Sequence, residues 1–282
     1  MILLDGKTTS QKIMNSLKIE ISNLDFTPTL DIIIVGNDSS SQKYVAMKQE
    51  KAQSIGIGGK IHQLSQDSTT KDVLSLIQHL NQDSNVNAFM VQLPLPPQID
   101  TQTVLSFIDP KKDADGLSPF NLGLLFQKKS QGIISATALG IIQLLEEYQI
   151  NISGKNAVII GRSPEVAIPL FAALMAKNAT VTICHTKTQN LQEICQQADI
   201  LISSIGKPNF FGKGFIKPNA IVIDVGFVAD PITGKTTGDF NFDQVAPISS
   251  FITPVPGGVG PMTITSLLYN TVQIAKKNIK LS

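Results

Sequence analysis

Short apolar runs alternate with amphipathic stretches along the first half of the chain. Largely apolar runs at 31–36 and 88–93 predict buried strands, and Pro94 stops the second of them. The stretches 41–55 and 140–148 repeat their apolar residues at the spacing of a helix. Strands that alternate with helices in this way are typical of a parallel sheet covered by helices.

The second half of the chain repeats the alternation with new elements. It predicts, in order, a strand at 157–160, a helix at 164–176, a strand at 180–184, a helix at 188–197 and strands at 200–203 and 220–225. The two series together predict an α/β fold of two domains with a boundary near 135–140. The stretch 229–239 is polar and predicts a loop.

The run 253–263 constrains its backbone more densely than any other segment, because it contains three prolines and three glycines. Proline fixes φ, and glycine permits close approaches that other residues forbid. The run therefore suits a loop that presses bare backbone against a flat ligand, and it equally suits a rigid structural turn. The stretch 263–275 predicts a helix, whose first turn presents free N–H groups.

Composition narrows the class of protein. With 282 residues, 42% hydrophobic content and a net charge of +1, the chain argues against nucleic-acid binding. Its apolar stretches are shorter than the roughly 18 residues of a membrane span, and its first residues lack the core of a signal peptide. Two cysteines, Cys184 and Cys195, cannot form a disulfide framework, so we expect a reduced, cytosolic protein. The three histidines have no metal-ligand spacing, and no metal site is predicted.

The segment 157–167 has the strand–turn–helix layout of a nucleotide-binding unit. Gly161 stands where the tight turn is needed, and Ala167 lies near the position where a small residue lets helix and strand pack closely. Ser163 occupies the place of the second glycine of the dinucleotide fingerprint. A plain strand-to-helix turn therefore explains the segment as well.

The strand that follows ends without the carboxylate that receives the ribose hydroxyls in NAD-binding proteins. His185, Thr186 and Lys187 stand there instead, and Arg162 follows the preceding turn. A hydroxyl, an imidazole and two cations suit a 2′-phosphate, which favours NADP. The alternative is a solvated polar turn.

Tyr44 and Lys48 lie four residues apart and share a face of the predicted helix. Such a pair can carry out acid/base chemistry. Short-chain dehydrogenases use a Tyr-x-x-x-Lys pair, but theirs follows the nucleotide motif, whereas this pair precedes it. A surface lysine beside a half-buried tyrosine would show the same spacing.

Two further polar residues are candidates for a site, one near a predicted strand end and one in a turn. Gln92 comes near the end of an apolar strand, where sites of α/β proteins lie, although a strand-end glutamine can simply bond to nearby backbone. Asp115 lies in the charged turn 109–116. Its carboxylate can accept two hydrogen bonds from a planar amino-heterocycle, or it can be an ordinary solvated turn residue.

Taken in order, these motifs resemble the bifunctional methylenetetrahydrofolate dehydrogenase/cyclohydrolase family over nearly the whole chain. The run 253–263 is the most specific of them. The resemblance is carried by Ser41-x-x-Tyr44-x-x-x-Lys48, 91–96, Lys112-Asp113-x-Asp115-Gly116, Gly161-Arg162-Ser163, Ala198-Asp199-Ile200, 222–226 and 253–263.

The resemblance implies two reactions and an architecture. NADP⁺ would take a hydride from 5,10-methylenetetrahydrofolate, and the methenyl product would be hydrolysed to 10-formyltetrahydrofolate, within one-carbon metabolism and purine biosynthesis. A folate-binding catalytic domain is expected at 1–138, completed by a helix at 262–282. A Rossmann-like NADP-binding domain is expected at 139–261, with the active-site cleft between the two. A cytoplasmic homodimer without nucleic-acid or membrane partners is expected on the same ground.

The family pattern also assigns roles to individual residues. Lys48 matches the catalytic lysine and Gln92 the partner that tunes it, while Tyr44 matches the aromatic residue beside the folate and Asp115 the pterin anchor. These four are the expected catalytic residues. The expected substrate-binding residues are Ser41, Tyr44, Asp115, Pro256, Gly257 and Gly258, and the expected cofactor-binding residues are Gly161, Arg162, Ser163, His185, Thr186, Gly226 and Phe227.

The chain departs from the family pattern at several positions without losing a proposed catalytic group. The segment 135–138 replaces a frequent Pro-Cys-Thr-Pro, and Ala114, Ala167 and Phe227 replace a valine, a glycine and an aliphatic residue. A dehydrogenase without hydrolase activity is one alternative, against which the retained Lys48 argues. A non-catalytic nucleotide-binding regulator is another, but nucleotide binding alone would not need Lys48, Gln92 and Asp115.

Overall fold

The structure, a computed structural model, describes residues 1–127, 132–229 and 234–279. The chain divides into two compact units, each built from two separate segments. Unit 1 comprises Met1–Gln11 and Thr137–Thr263, and unit 2 comprises Lys12–Ala136 and Ile264–Ser282. The sequence predicted domain boundaries at 138/139 and 261/262. The division in the structure differs chiefly in residues 1–11, which the prediction placed in the first domain and the structure places in unit 1.

Helices and strands alternate through most of the chain. The helices are α1 (Gly6–Ser22), α2 (Ser39–Ser54), α3 (Thr70–Gln82), α4 (Thr101–Phe107), α5 (Pro119–Phe126), α6 (Ala136–Glu147), α7 (Ala167–Ala176), α8 (Leu191–Cys195), α9 (Phe242–Val245) and α10 (Val259–Ile279). The strands are β1 (Ile2–Leu3), β2 (Leu30–Val35), β3 (Ile61–Leu64), β4 (Ala88–Val91), β5 (Asn156–Ile160), β6 (Thr180–Cys184), β7 (Ile200–Ser203), β8 (Ile221–Asp224), β9 (Val228–Ala229), β10 (Thr236–Thr237) and β11 (Phe251–Ile252). Among the described residues, none of the helices is long and apolar enough to cross a membrane.

Unit 1 contains a six-stranded sheet in the order β1-β11-β8-β7-β5-β6, in which every pairing is parallel. The predicted Rossmann-like parallel sheet is therefore confirmed. Residues 1–11 belong to this unit because β1 adds to its edge, where Ile2 pairs with Phe251 and Leu3 with Ile252. Helices cover the sheet and bury Leu201, Val222 and Phe240 in its core.

Unit 2 contains a three-stranded parallel sheet in the order β3-β2-β4. All six residues of β2 are buried, as expected for a central strand covered on both faces. Its side chains alternate between two apolar clusters. Ile32 and Ile34 pack into one with residues of α2 and α10, whereas Ile33 and Val35 pack into the other with residues of α3 and α4.

Several predicted boundaries move in the structure. The polar loop predicted at 229–239 is wrong in part, because β9 and β10 pair there as an antiparallel ribbon; residues 230–233 lie outside the described part of the chain. The helix predicted at 263–275 begins earlier, at Val259, and extends to Ile279. Residues 280–282 of the helix expected at 262–282 lie outside the described part of the chain. The helix predicted at 188–197 is confined to α8.

Two buried carboxylates brace the carboxyl edge of the unit 1 sheet. Asp239 accepts hydrogen bonds from the Ser203 hydroxyl (2.6 Å) and from the backbone of Ile205 and Lys207 (both 2.8 Å). Asp224 accepts from the backbone of Gly226, Asp239 and Phe240, each at 2.9 Å. Burial, together with the nearby Asp239 charge, raises the pKa of Asp224 to about 6, although these backbone donors oppose the shift.

We predict that Asp239→Ala destabilises the protein by about 3–5 kcal/mol, because it leaves the buried Ser203 hydroxyl and two partly buried backbone N–H groups without an acceptor. Urea unfolding followed by circular dichroism measures the loss. Asp243→Ala is the matched control, since Asp243 is exposed on α9, and it should cost less than about 0.5 kcal/mol. Equal losses in the two variants would contradict the bracing role.

Candidate active site

Helix α2 presents one buried face that carries Lys48. The Asp38 carboxylate caps the helix by accepting from the Ser41 backbone N–H at 2.7 Å, and hydrogen bonds from Ser41 lower the pKa of Asp38. The buried residues of α2 recur at helical spacing: Ser41, Val45, Lys48 and Ala52. A lysine in this series is pulled into the interior of unit 2 by its apolar neighbours on the same face.

The Lys48 side chain is 7% exposed and ends against two groups of β4 and the residues after it. Its Nζ donates to Gln92 Oε1 at 2.9 Å and lies 3.5 Å from Met90 Sδ. Gln92 is itself held, because its Nε2 donates to the Leu93 carbonyl at 2.6 Å and its backbone N–H to the Ile33 carbonyl at 2.8 Å. The structure thus brings the predicted Lys48 and Gln92 together, although they are 44 residues apart.

Burial lowers the pKa of Lys48, and the negative charge of Asp115 partly opposes this shift. A neutral ε-amine can accept a proton from water and return it to a leaving group. The half-buried Tyr44 lies one helical turn before Lys48, and among the described residues none forms a hydrogen bond with its hydroxyl. This combination can support acid/base chemistry on a ligand that stacks against Tyr44.

The charged turn 109–116 divides its carboxylates between two tasks. Asp113 is 1% exposed and accepts from the backbone of Gly116 (2.9 Å) and Ser118 (2.8 Å) and from Asn121 Nδ2 (3.0 Å). Asp115 is only half-buried, and it influences Lys48 electrostatically. Asp113 therefore holds the turn, and Asp115 is the carboxylate that the turn presents.

In unit 1, the carboxyl end of β5 forms the turn predicted to bind a nucleotide. Gly161 has φ of +134°, and a Cβ atom on it would lie 2.5 Å from Ser204 Oγ, so no larger residue fits there. Ser204 Oγ is buried and has no hydrogen-bond partner among the described residues. Ser163 closes the turn by accepting from the Val166 N–H at 3.2 Å.

Residues after the neighbouring strand β6 lie at the same edge, since Ile160 pairs with Cys184 and the Gly161 N–H donates to the Cys184 carbonyl at 2.9 Å. His185 is part of a tight turn in which its Nδ1 accepts from the Lys187 N–H at 3.1 Å. Thr186 is exposed. Arg162 is exposed too, and it forms no ion pair within the described part of the chain.

The donor groups at this edge fit a phosphorylated nucleotide. Gly161 provides a cradle that a Cβ would fill, Ser204 leaves a hydroxyl without a partner, and Arg162 is a cation without a counter-charge among the described residues. Gly226 and Phe227 follow β8 at the same edge. Gly226 is required because a Cβ would lie 2.5 Å from Asp239 Oδ1, and the Phe227 ring is 56% exposed.

Contacts within unit 1 explain some of the glycines in the loop after β11. The Gly257 carbonyl accepts from the Lys7 N–H at 3.0 Å, and a Cβ on Gly6 would overlap the Gly258 carbonyl. A Cβ on Gly258 would lie 2.6 Å from the Pro254 carbonyl oxygen. Close backbone packing within unit 1 thus accounts for Gly258. At Gly257, a Cβ would meet only Pro254 Cγ at 3.9 Å, so its φ of +110°, and not crowding, is what favours glycine there.

Some residues that shape these sites were not predicted from the sequence. Asp113, Ser204 and Asp239 each hold or face a loop that carries a predicted residue. Their positions in the sequence could have identified them, because each lies just after an apolar strand or in a Gly-containing turn. The two cysteines are buried, and burial raises the pKa of Cys195 to about 12, which makes its thiol unreactive.

Comparison with protein families gives two matches that together span most of the chain. Residues 4–115 match the catalytic domain of tetrahydrofolate dehydrogenase/cyclohydrolase. Residues 135–279 match the NAD(P)-binding domain of the same enzymes.

Individual proteins are similar over the full length. The bifunctional protein FolD of Campylobacter concisus is 45% identical over 99% of this chain and 99% of its own. The crystal structure of the bifunctional enzyme FolD from Campylobacter jejuni has a TM-score of 0.96 at 41% identity, with 99% of each chain covered. The Trypanosoma brucei dehydrogenase-cyclohydrolase, solved with NADP cofactor and an inhibitor, has a TM-score of 0.94 at 34% identity, again with 99% coverage of each chain.

We predict that Lys48→Met stabilises the protein at pH 7 by about 0.5–2 kcal/mol, the usual gain when a strained functional residue is replaced. The native state disfavours the charged amine, so this cost is present at neutral pH and fades as the pH rises toward 10.5, the ordinary lysine pKa. Urea unfolding at pH 7 and pH 9.5 measures the change and its decline. Lys51→Met, on the exposed face of the same helix, should change stability little at either pH.

Proposed function

We propose how individual residues of this chain, which belongs to the tetrahydrofolate dehydrogenase/cyclohydrolase family, carry out the two reactions of that family. The chain is an NADP-dependent enzyme that oxidises 5,10-methylenetetrahydrofolate to 5,10-methenyltetrahydrofolate and hydrolyses the product to 10-formyltetrahydrofolate. It matches both family domains and full-length bifunctional relatives, so the monofunctional and regulatory alternatives are set aside. The observation that carries the residue-level proposal is the buried Lys48 amine held by Gln92.

Lys48 moves the protons of the hydrolysis. As a neutral amine, its Nζ accepts a proton from the water that adds to the methenyl carbon. The resulting ammonium then donates a proton to the ring nitrogen as the carbon–nitrogen bond breaks. Burial lowers the pKa of Lys48 and so favours the neutral form of the amine, and Gln92 Oε1 keeps Nζ in one place through both steps.

Asp115 anchors the pterin, and its carboxylate accepts the two hydrogen bonds that the amino-heterocycle offers. Its negative charge also lies near enough to affect Lys48. Tyr44 flanks the folate with an aromatic face, and Ser41, Pro256, Gly257 and Gly258 complete the substrate-binding set. Ser41 is already engaged with Asp38 at the start of α2, so its contribution is to shape the site.

The cofactor-binding residues lie along the carboxyl edge of the unit 1 sheet. Arg162, Ser163, His185 and Thr186 hold the adenosine 2′-phosphate, Gly161 admits the pyrophosphate, and Gly226 and Phe227 border the nicotinamide. NADP⁺ bound there supplies the hydride acceptor. Hydride transfer leaves a cation on the folate and needs no base, so these residues contribute alignment.

The product carries a formyl group at the oxidation level that purine biosynthesis consumes. We therefore propose that the enzyme supplies formyl groups to purine biosynthesis and that it acts in the cytoplasm. We also propose a homodimer. The β1 edge of the sheet supports self-association, because Ile2 and Leu3 are exposed there although both are apolar.

We predict that Lys48→Met lowers the rate of methenyltetrahydrofolate hydrolysis at least about a hundredfold, the scale expected for loss of a general acid/base. The dehydrogenase rate should fall less, because that step moves no proton. Absorbance of the methenyl compound and of NADPH follows the two reactions separately. Lys51→Met is the control, and unchanged hydrolysis in folded Lys48→Met would refute the assignment.

We predict that the enzyme prefers NADP⁺ to NAD⁺ and that Arg162→Ala removes most of this preference. Losing a charge-assisted partner of a phosphate costs about 1.5–3 kcal/mol, which corresponds to a roughly tenfold to hundredfold change. The measurement is kcat/KM for both cofactors in wild type, Arg162→Ala and Lys213→Ala, whose lysine is exposed elsewhere in unit 1. The assignment fails if Arg162→Ala weakens both cofactors equally.

A further inference from the structure

Helix α10 carries an amide on a face that is otherwise packed into the core of unit 2. Asn270 is 4% exposed, and its neighbours on α10 include Leu267 and Ile274, which are about 1% exposed. Burying an amide is unfavourable unless its polar atoms find hydrogen-bond partners. The buried Asn270 side chain therefore needs hydrogen-bond partners inside unit 2.

Both hydrogens of the Asn270 amide are used on backbone carbonyls. Asn270 Nδ2 donates to the Ala114 carbonyl at 3.0 Å and to the Ile134 carbonyl at 2.9 Å. The two carbonyls are 20 residues apart in sequence, so one side chain ties together two segments that the chain itself does not connect locally. One of them is the peptide that leads directly into Asp115.

The backbone after Asp115 is fixed by the second of these segments, residues 134–136. The Asp115 carbonyl accepts from the Ala136 N–H at 3.1 Å. The next residue, Gly116, has φ of +68° and packs so closely on Ile134 that a Cβ would lie 2.8 Å from its carbonyl carbon. The backbone before Asp115 is therefore held by Asn270, and the backbone after it is held by the segment that Asn270 also binds.

We propose that Asn270 is a positioning residue that fixes the Asp115 carboxylate in the orientation in which it binds the pterin. The proposal rests on the role of Asp115 proposed above. Asn270 contacts neither reacting group, and it acts only through the backbone on which Asp115 is mounted. A carboxylate that must form two hydrogen bonds to a flat ring tolerates little rotation, so loosening this mount weakens binding.

The test variant is Asn270→Leu, which keeps a side chain of similar size and removes both donors. We expect the affinity for tetrahydrofolate, measured by calorimetry, to fall about three- to tenfold, the scale of one net hydrogen bond. Affinity for NADP⁺ should stay within about twofold. The acid limb of the hydrolysis pH profile should move to lower pH, because Asp115 then supports the charged form of Lys48 less well.

Thr271→Val is the matched control for loss of a buried hydrogen bond in the same helix. Thr271 is fully buried, and its hydroxyl donates to the Leu267 carbonyl at 2.9 Å, away from Asp115. This variant should lower Tm while leaving tetrahydrofolate affinity and the pH profile unchanged. If Asn270→Leu fails to fold, Asn270→Ser retains one donor and replaces it in the same measurements.

Asp115→Ala separates this proposal from the one on which it rests. In the Asp115→Ala background, Asn270→Leu should cause no further loss of tetrahydrofolate affinity. If Asp115→Ala itself binds tetrahydrofolate normally, the pterin-anchor role is wrong and the inference falls with it. If Asp115→Ala weakens binding but Asn270→Leu does not, or if Thr271→Val weakens it equally, Asp115 keeps its role and Asn270 is purely structural.

Discussion

The desolvation of one ammonium group is the constraint on which the chemistry of unit 2 depends. Lys48 stands on the buried face of α2, and the apolar residues around it bring its amine out of water. Burying this amine without a hydrogen-bond partner would destabilise the folded protein and leave the side chain mobile. Gln92 supplies a neutral acceptor at 2.9 Å. A carboxylate in the place of Gln92 would stabilise the charged form and oppose the shift that burial produces.

The other buried polar groups also depend on hydrogen-bond partners to offset the cost of their burial. Asp113, Asp239 and Asn270 are each almost completely buried, and each forms hydrogen bonds with several backbone groups of loops that connect helices and strands. Such loops lack the regular hydrogen bonds of a helix or a sheet, so their geometry depends on side chains of this kind. Among the residues proposed to touch a ligand, Asp115 stands on a turn that Asp113 and Asn270 hold in this way.

Much of the fold and of the candidate site could be predicted from the sequence. The strands β2, β5 and β7 appear as largely apolar runs, because each lies inside its sheet and is covered on both faces. The edge strand β6 instead alternates Thr180 and Thr182 with apolar residues. Helix α3 was missed although it has a clear start signal, a capping box between Thr69 and Asp72. The strand β3 was missed because its mixed residues, Ile61–Leu64, show neither an apolar run nor a regular alternation. The ribbon of β9 and β10 was missed because short polar strands leave no periodic pattern.

The sequence by itself determined the α/β class, the ordered motifs and the residue types suited to proton transfer and phosphate binding. These properties depend on local spacing and on side-chain chemistry, both of which are written along the chain. Only the tertiary structure decided that Lys48 meets Gln92, that residues 1–11 extend the unit 1 sheet, and that Asn270 binds the backbone beside Asp115. Such contacts join residues 44 to nearly 250 positions apart, and only the packing of whole elements brings those groups within hydrogen-bond distance.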